Sequence, residues 1–239
     1  MLLPTSIASS DADLLGLVNT WARQSWTLDQ IVAWVSRNDL FKGALIVALF
    51  WWMWFARETA PACEKTRERV LITFIATAGG LFLARALQLT LPYRLRPLHD
   101  PRVQFVVPFG VSETMFRDWS SFPSDHAVLF LSLATGLWLI SRRLGLLVTV
   151  YVLLFILGPR VYLGLHYPSD VIVGALIGIV TVLIANGLLR ASALTGGMLR
   201  WARRHPGAFY GIAFLVSFEI STLFESFRAV GRLAAKLIP

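Results

Sequence analysis

The sequence of 239 residues contains few charges and almost no cysteine. Only 15% of the residues are charged, and Cys63 is the single cysteine. One cysteine can form neither an intramolecular disulfide nor a cysteine metal cluster. No segment alternates with a period of two, which argues against β-strands. The segment from Met1 to Asp13 lacks a basic region followed by an apolar core, so we expect no cleaved signal peptide.

Apolar residues dominate the composition of the chain. Hydrophobic residues make up 56% of the chain, which includes nine tryptophans. Several runs approach the roughly 20 apolar residues that cross a bilayer core. The composition therefore predicts an all-α, polytopic integral membrane bundle of about six transmembrane helices, forming one domain over residues 1–239. The predicted spans are residues 41–56, 70–91, 124–141, 144–159, 170–190 and, more weakly, 206–224.

Two regions at the ends of the chain depart from plain apolar runs. Residues 14–36 mix Arg23 and Asp29 with apolar side chains. That amphipathic pattern favours a helix along the membrane interface, with an outer helix of the bundle as the alternative. The run 206–224 is the weakest predicted span because Glu219 would be costly in hydrocarbon.

The net charge of +8 is spread over short segments between the apolar runs. No basic stripe is present, so we predict membrane headgroups as the partner and no nucleic acid. Ten basic residues fall in the turns 57–69, 142–143 and 190–204, which all lie on one side of the predicted bundle. By the positive-inside rule this side is cytoplasmic, and the opposite side faces away from the cytoplasm.

Three polar segments interrupt the apolar runs on that opposite side. They are Arg94 with Arg96 before Pro97, then Ser124-Asp125-His126 after Pro123, and finally Arg160 with His166 and Asp170. The first two share one loop, and the third follows 34 residues after His126. One out-and-back pair of helices brings it to the same membrane face. Two histidines and several arginines meeting there are the residues that phosphoryl transfer through histidine requires.

Each segment has a chemical and an ordinary interpretation. Pro123 suits a first helical position, which would leave the N–H groups after it free for an anion. We expect the Asp125 carboxylate to point away from that anion. Asp170, four residues after His166, could accept its Nδ1–H and leave Nε2 as a nucleophile. Taken singly, the segments could equally be a helix cap, a headgroup-binding pair and an interfacial anchor; their joint occurrence favours a site.

The order Arg-Pro, Pro-Ser-x-His, Arg-x5-His-x3-Asp resembles the type 2 phosphatidic acid phosphatase superfamily across residues 87–190. Residues 121–127 are similar to the bacterial undecaprenyl-diphosphate phosphatases. The resemblance implies that His166 becomes phosphorylated, that Asp170 orients it and that His126 serves as general acid and then base. It also implies a phosphate site formed by Arg96, Arg160 and Ser124, to which we add Arg94 and Asp125 as candidates.

Two positions depart from the family pattern. Leu89 stands where the family often has lysine, and Pro159 stands where it usually has serine. Either Arg94 or Gln88 could supply the missing donor. Both departures bear on the substrate more than on the reaction.

The predicted function is hydrolysis of a lipid phosphate, with undecaprenyl diphosphate preferred, at the outer face of a bacterial inner membrane. Phosphatidylglycerophosphate, phosphatidate and lipid A phosphates are alternative substrates. Alternatives of another kind are a non-catalytic lipid-phosphate binding or flipping protein and a haloperoxidase-like enzyme, whose known relatives are soluble. No cofactor or metal is predicted, because arginines and helix N-termini supply the positive charge. A metal site among Glu113, Asp118 and Asp125 stays open, as does the oligomeric state.

Overall fold

A computed structural model describes residues 5–56, 60–112 and 119–225. All regular secondary structure in these ranges is helical, as predicted. Two stretches are π-helical, Leu40–Ala44 and Val152–Leu157. The helices are α1 (Thr5–Asn19), α2 (Trp26–Arg37), α3 (Leu45–Phe55), α4 (Ala60–Thr90), α5 (Asp125–Ile140), α6 (Arg142–Tyr151), α7 (Gly158–Tyr162), α8 (Pro168–Leu189), α9 (Ala193–Arg204) and α10 (Pro206–Ser221).

The number of apolar helices agrees with the predicted six spans. Three are long and apolar enough to cross a membrane: Ala62–Thr90, Arg142–Tyr162 and Pro168–Leu189. Three shorter apolar helices are Leu40–Phe55, Asp125–Ile140 and Pro206–Ser221. Glu219, which weakened the prediction for the last of these, is buried among protein groups. Its carboxylate therefore faces the bundle and not the lipid.

Helix α5 forms the centre of the bundle and packs against α4, α6 and α8. Its contact with α8 is close because α8 presents Gly174 and Gly178 to it. A Cβ atom at either glycine would overlap with a backbone carbonyl oxygen of the facing segment, that of Ser124 or Val128. Small residues four apart allow helix backbones to approach in this way. The contact fixes the start of α5 beside the start of α8.

The N-terminal region differs from the single helix expected over residues 14–36. The chain forms α1 and α2, separated by a turn in which Arg23 has a positive φ of 61°. Both helices pack against α7, with buried carboxylates on their inner faces. Their outward faces are apolar and include exposed Leu17 and Trp34. The amphipathic pattern therefore arises from helices whose polar side faces the protein, and the outward apolar side is typical of interfacial helices.

The two ends of the bundle differ in composition. One end, here called the site end, contains residues 91–112, 119–126 and 158–170. The other, the basic end, contains residues 60–69, 141–143 and 190–206. At the basic end α9 packs against α4, and Arg203 pairs with Glu64 at 3.1 Å. The three predicted polar segments all lie at the site end.

Candidate active site

Backbone hydrogen bonds hold the three polar segments of the site end together. Each bond joins one segment to another, so no segment can shift alone. The bonds run from Ser121 N–H to the Arg94 carbonyl (3.0 Å), from Leu98 N–H to the Gly164 carbonyl (3.0 Å) and from Ser124 N–H to the Asp170 carbonyl (3.1 Å).

His166 lies in the turn between α7 and α8 and is 2% exposed. Its Nδ1 is 2.8 Å from the Ser121 carbonyl oxygen and 3.8 Å from the nearest Asp170 oxygen. The Nδ1–H therefore donates to Ser121, which corrects the predicted partner but leaves Nε2 with its lone pair, as predicted. Burial lowers the pKa of His166, so the ring is neutral at neutral pH, which is the form that a nucleophile needs.

The Asp170 carboxylate, fully buried in the first turn of α8, has other partners. It accepts the Tyr167 N–H at 2.8 Å and pairs with the Arg94 guanidinium. Arg94 also pairs with Asp11 at 2.7 Å and lies over the Tyr167 ring. This departs from the phosphate-binding role expected of Arg94, because two carboxylates and the Ser169 hydroxyl already engage its guanidinium. Arg94 instead fixes Asp170 and the start of α8.

Arg96 reaches His166 from the opposite side of the ring. Its backbone is extended, as expected before Pro97, and its guanidinium donates to the Leu165 carbonyl at 2.6 Å. The same nitrogen is 3.5 Å from His166 Nε2. Arg96 therefore places a positive charge beside the nitrogen that would attack phosphorus.

Arg160, in α7, is 5% exposed and lies against His126. Its guanidinium contacts His126 Nε2 and donates to the Ser36 carbonyl at 3.4 Å. Its Nε has no hydrogen-bond partner among the described residues. A buried guanidinium with an unused N–H facing a histidine is suited to an anionic ligand.

The start of α5 differs in detail from the prediction. The first helical residue is Asp125, and Ser124, not Pro123, precedes the helix as its cap, with Oγ 3.4 Å from the Ala127 N–H. The Ser124 N–H is already bonded to the Asp170 carbonyl, so it is not free for an anion. The Asp125 carboxylate lies 3.0 Å from His126 Nδ1 and does not point away from the site. These partners assign a proton to His126 Nδ1 and leave Nε2 facing Arg160.

One group of side chains at the site end has the composition of a metal site. Asp125, His126 and His166 offer ligand atoms that all lie within 4.8 Å of one another. Imidazole and carboxylate suit several transition metals. Arg96 and Arg160 border the group, and their positive charges oppose cation binding. The other carboxylates considered from sequence, Glu113 and Asp118, lie outside the described residues.

The structure also tests the two candidates for the donor missing at position 89. Leu89 is 76% exposed and faces outward. Gln88 donates to the Pro123 carbonyl at 2.8 Å and accepts from Arg85, so its amide serves the fold. Arg94, the other candidate, is bound by carboxylates. Neither residue replaces the lysine.

Sequence reasoning missed two groups that shape the site. The Ser121 carbonyl orients His166, but a backbone acceptor leaves no trace in a side-chain pattern. Asp11 binds Arg94 and also accepts the Ser169 N–H at 2.9 Å. Its only signal was a carboxylate close to an apolar amphipathic segment, and nothing in the spacing linked it to residues more than 80 positions away.

The sequence of the chain matches a known protein family. A sequence model described as the PAP2 superfamily matches residues 69–192, just over half of the chain. The bacitracin transport permease protein BcrC of Bacillus licheniformis is 27% identical over 180 residues, covering 74% of this chain and 80% of the relative. The lipid A 1-diphosphate synthase of Escherichia coli is 27% identical over 185 residues, covering 73% and 75%.

A further relative and one solved structure extend the comparison. The undecaprenyl-diphosphatase BcrC of Bacillus subtilis is 24% identical over 153 residues, covering 64% of this chain and 70% of the relative. The crystal structure of a transmembrane PAP2-type phosphatidylglycerolphosphate phosphatase from Bacillus subtilis is similar in fold, with a TM-score of 0.53 and 20% identity. The match covers 77% of this chain and 87% of the chain in that structure.

Proposed function

Because the chain belongs to the PAP2 superfamily, we propose that it removes a phosphate from a lipid diphosphate through a phosphohistidine at His166. The observation that carries the proposal is the state of His166. A carbonyl fixes its Nδ1–H, burial keeps the ring neutral, and Nε2 faces Arg96. A structural histidine needs no free nitrogen beside a buried arginine.

In the first step His166 Nε2 attacks the terminal phosphorus, and the bond between phosphorus and the bridging oxygen breaks. Arg96, Arg160 and the Ser124 hydroxyl stabilise the charge on the three equatorial oxygens. The incoming phosphoryl group draws the Arg160 guanidinium away from His126 Nε2. With Nε2 free, His126 takes up a proton there from the terminal phosphate of the incoming substrate and gives it to the leaving oxygen, while the Asp125 carboxylate at Nδ1 stabilises the transient imidazolium.

In the second step water attacks the phosphohistidine. His126 now accepts a proton from that water, the bond between Nε2 and phosphorus breaks, and inorganic phosphate leaves. The leaving phosphate takes the proton from His126, which returns both histidines to their neutral forms. Asp170 acts at a distance from the reacting atoms, as a positioning residue for the start of α8 and for Arg94.

Three kinds of named relative support a lipid phosphate as substrate: an undecaprenyl-diphosphatase, a lipid A 1-diphosphate synthase and a phosphatidylglycerolphosphate phosphatase. We assign undecaprenyl diphosphate as the preferred substrate because the order and spacing of residues 121–127 are similar to those of its phosphatases. The other two lipids define the alternatives within the same reaction class.

The test is phosphate release by the purified chain in detergent from a panel of lipid phosphates and diphosphates. We expect the highest kcat/KM for the polyprenyl diphosphate and trapping of acid-labile phosphate on His166. Binding of these lipids without release would support the non-catalytic binding protein instead.

The proposal also assigns no metal to the reaction, since Arg96 and Arg160 supply the charge. Loss of activity in EDTA that zinc or magnesium restores would contradict it.

We place the reaction on the outer face of a bacterial inner membrane. The named relatives are bacterial, and the described basic residues of the predicted cytoplasmic turns lie at the basic end, away from His166. The exposed residues Ser112 and Arg143 mark the two ends. In a Cys63→Ser background, Ser112→Cys should react with a membrane-impermeant thiol reagent in intact cells, and Arg143→Cys only after lysis. The reverse pattern would place the site in the cytoplasm.

A further inference from the structure

A cavity of about 170 Å³ lies next to Arg160, and its lining includes Arg37 and Lys42. We propose that this cavity binds the second phosphate of a lipid diphosphate, the one that stays with the lipid, and that Lys42 is its principal ligand. The inference rests on the proposed function and makes it specific, because a lipid monophosphate has no group to occupy this subsite.

Lys42 has the burial and the position that this role needs. It lies in the π-helical turn that leads into α3, and its side chain is only 12% exposed. It is close enough to Arg160 and to His126 for electrostatic interaction with each. An ammonium group has three N–H donors, and only Asp39, at 3.0 Å, accepts one among the described residues. The remaining donors are available to a ligand.

Arg160 connects the cavity to the reaction centre. It lines the cavity, its buried Nε lacks a hydrogen-bond partner among the described residues, and its guanidinium contacts His126. In the proposed reaction His126 protonates the bridging oxygen. In-line attack places that oxygen opposite His166 Nε2, so the second phosphate lies beyond the oxygen, on the side where His126 and Arg160 meet. The cavity is lined by Arg160, which contacts His126, and it offers Lys42 there as a second cation.

Positive charge is in excess in the cavity, because its lining holds three basic residues and two carboxylates. Asp39 is already paired with Lys42 and has a side chain that is 53% exposed, and Glu225 is also exposed. Both carboxylates lie where solvent screens them. Arg37 donates to the Gly110 carbonyl at 2.6 Å and is exposed like the two carboxylates, whereas Lys42 and Arg160 are the buried cations. The buried part of the cavity is therefore cationic, and the mixed charges lie in its exposed part.

The experiment compares a polyprenyl diphosphate with the monophosphate of the same chain length, using the purified full chain in detergent. Lys42→Met should raise KM for the diphosphate by about tenfold or more, the value of a lost charged hydrogen bond. Turnover of the monophosphate should change by less than about twofold. Lys42→Arg should retain most of the preference for diphosphate. Lys65→Met, which removes an exposed lysine at the basic end, is the matched control and should change neither substrate.

A binding measurement separates this inference from the proposed reaction. Inorganic pyrophosphate should raise the thermal unfolding midpoint of the wild-type chain more than inorganic phosphate does, and Lys42→Met should abolish the difference. A wild-type chain that releases no phosphate but shows this difference would refute the proposed hydrolysis and leave the subsite standing. Equal losses on both lipids, or no loss on either, would overturn the subsite, as would a pyrophosphate effect that survives in Lys42→Met.

Discussion

Arginine has opposite surroundings at the two ends of this bundle. At the site end, Arg96 and Arg160 are 7% and 5% exposed and touch histidines. At the basic end, Arg203 pairs with Glu64 through side chains that are 59% and 57% exposed. Solvent-exposed pairs of this kind contribute between about 0 and 1 kcal/mol. The exposed pair at the basic end therefore contributes little to stability.

The buried arginines need a different explanation. Removing a guanidinium from water is costly, and protein contacts offset that cost only when many of them converge. Two of those contacts at the site end are backbone carbonyls, from Leu165 to Arg96 and from Ser36 to Arg160. Carbonyls hold a cation in place without neutralising it. This arrangement keeps positive charge available for an anionic substrate.

The largest expected effect separates the histidines of the two ends. His166→Ala should reduce phosphate release by about three or more orders of magnitude, because it removes the proposed phosphoryl acceptor. His205→Ala, at an exposed position of the basic end, should leave the rate unchanged. Release rates of the purified variants check this, with circular dichroism to confirm the helical fold. Near-normal turnover in His166→Ala would exclude the phosphohistidine.

A smaller effect is expected for the arginines. Arg160→Lys should lower kcat by about a hundredfold, the usual effect of losing one donor to transition-state charge. Lysine keeps the charge but cannot contact both His126 and the phosphoryl oxygens with a planar fork. Arg203→Lys at the basic end should have no effect on kcat. If the two substitutions proved equally mild, the burial of Arg160 would have no catalytic meaning.

Much of this comparison was predictable from sequence, because it depends on pattern. The apolar runs predicted six helices, and the basic turns predicted which ends lie together. The spacing from Arg160 to His166 and Asp170 predicted a helix junction at the site end. Each of these inferences uses periodicity or counting along the chain. Neither quantity depends on the three-dimensional arrangement.

The sequence could not predict which single hydrogen bonds form or which distant segments come together. Asp170 lies four residues from His166, yet its carboxylate is taken by Arg94 and by the start of α8. Lys42 is far from every motif in the sequence, and only the packing of the Leu40–Ala44 turn against the Val152–Leu157 turn before α7 brings it to Arg160. Choices among competing partners depend on ångström-scale geometry, which spacing alone does not determine.

The packing that joins the two halves of the site gives the third prediction. Gly178→Val would place side-chain atoms against the Val128 carbonyl in the α5–α8 contact. Overpacking of this kind costs about 1–3 kcal/mol, so the thermal midpoint should fall by several degrees. Gly187→Val in the same helix is the control, since a Cβ there meets nothing within 4 Å. Equal midpoints for the two variants would show that the close contact does not limit stability.

The smallest expected effect concerns stability in acid and Asp100. This residue contacts Tyr167, which follows His166 in the sequence. Its buried carboxylate accepts from the Tyr167 hydroxyl at 2.9 Å and from Arg102 at 2.7 Å. Hydrogen bonds from Arg102 lower the pKa of Asp100 from 3.8 to about 2. The folded chain thus binds this proton less readily than the unfolded chain, so the stabilisation is complete above pH 3.8 and is lost as the pH falls towards 2.

Thermal midpoints measured between pH 5 and about 2.5 should therefore fall more steeply for the wild type than for Asp100→Asn. Glu64→Gln at the basic end removes an exposed carboxylate and should leave the slope of the wild type unchanged. Parallel slopes for the wild type and Asp100→Asn would mean that Asp100 carries no protonation-linked stability.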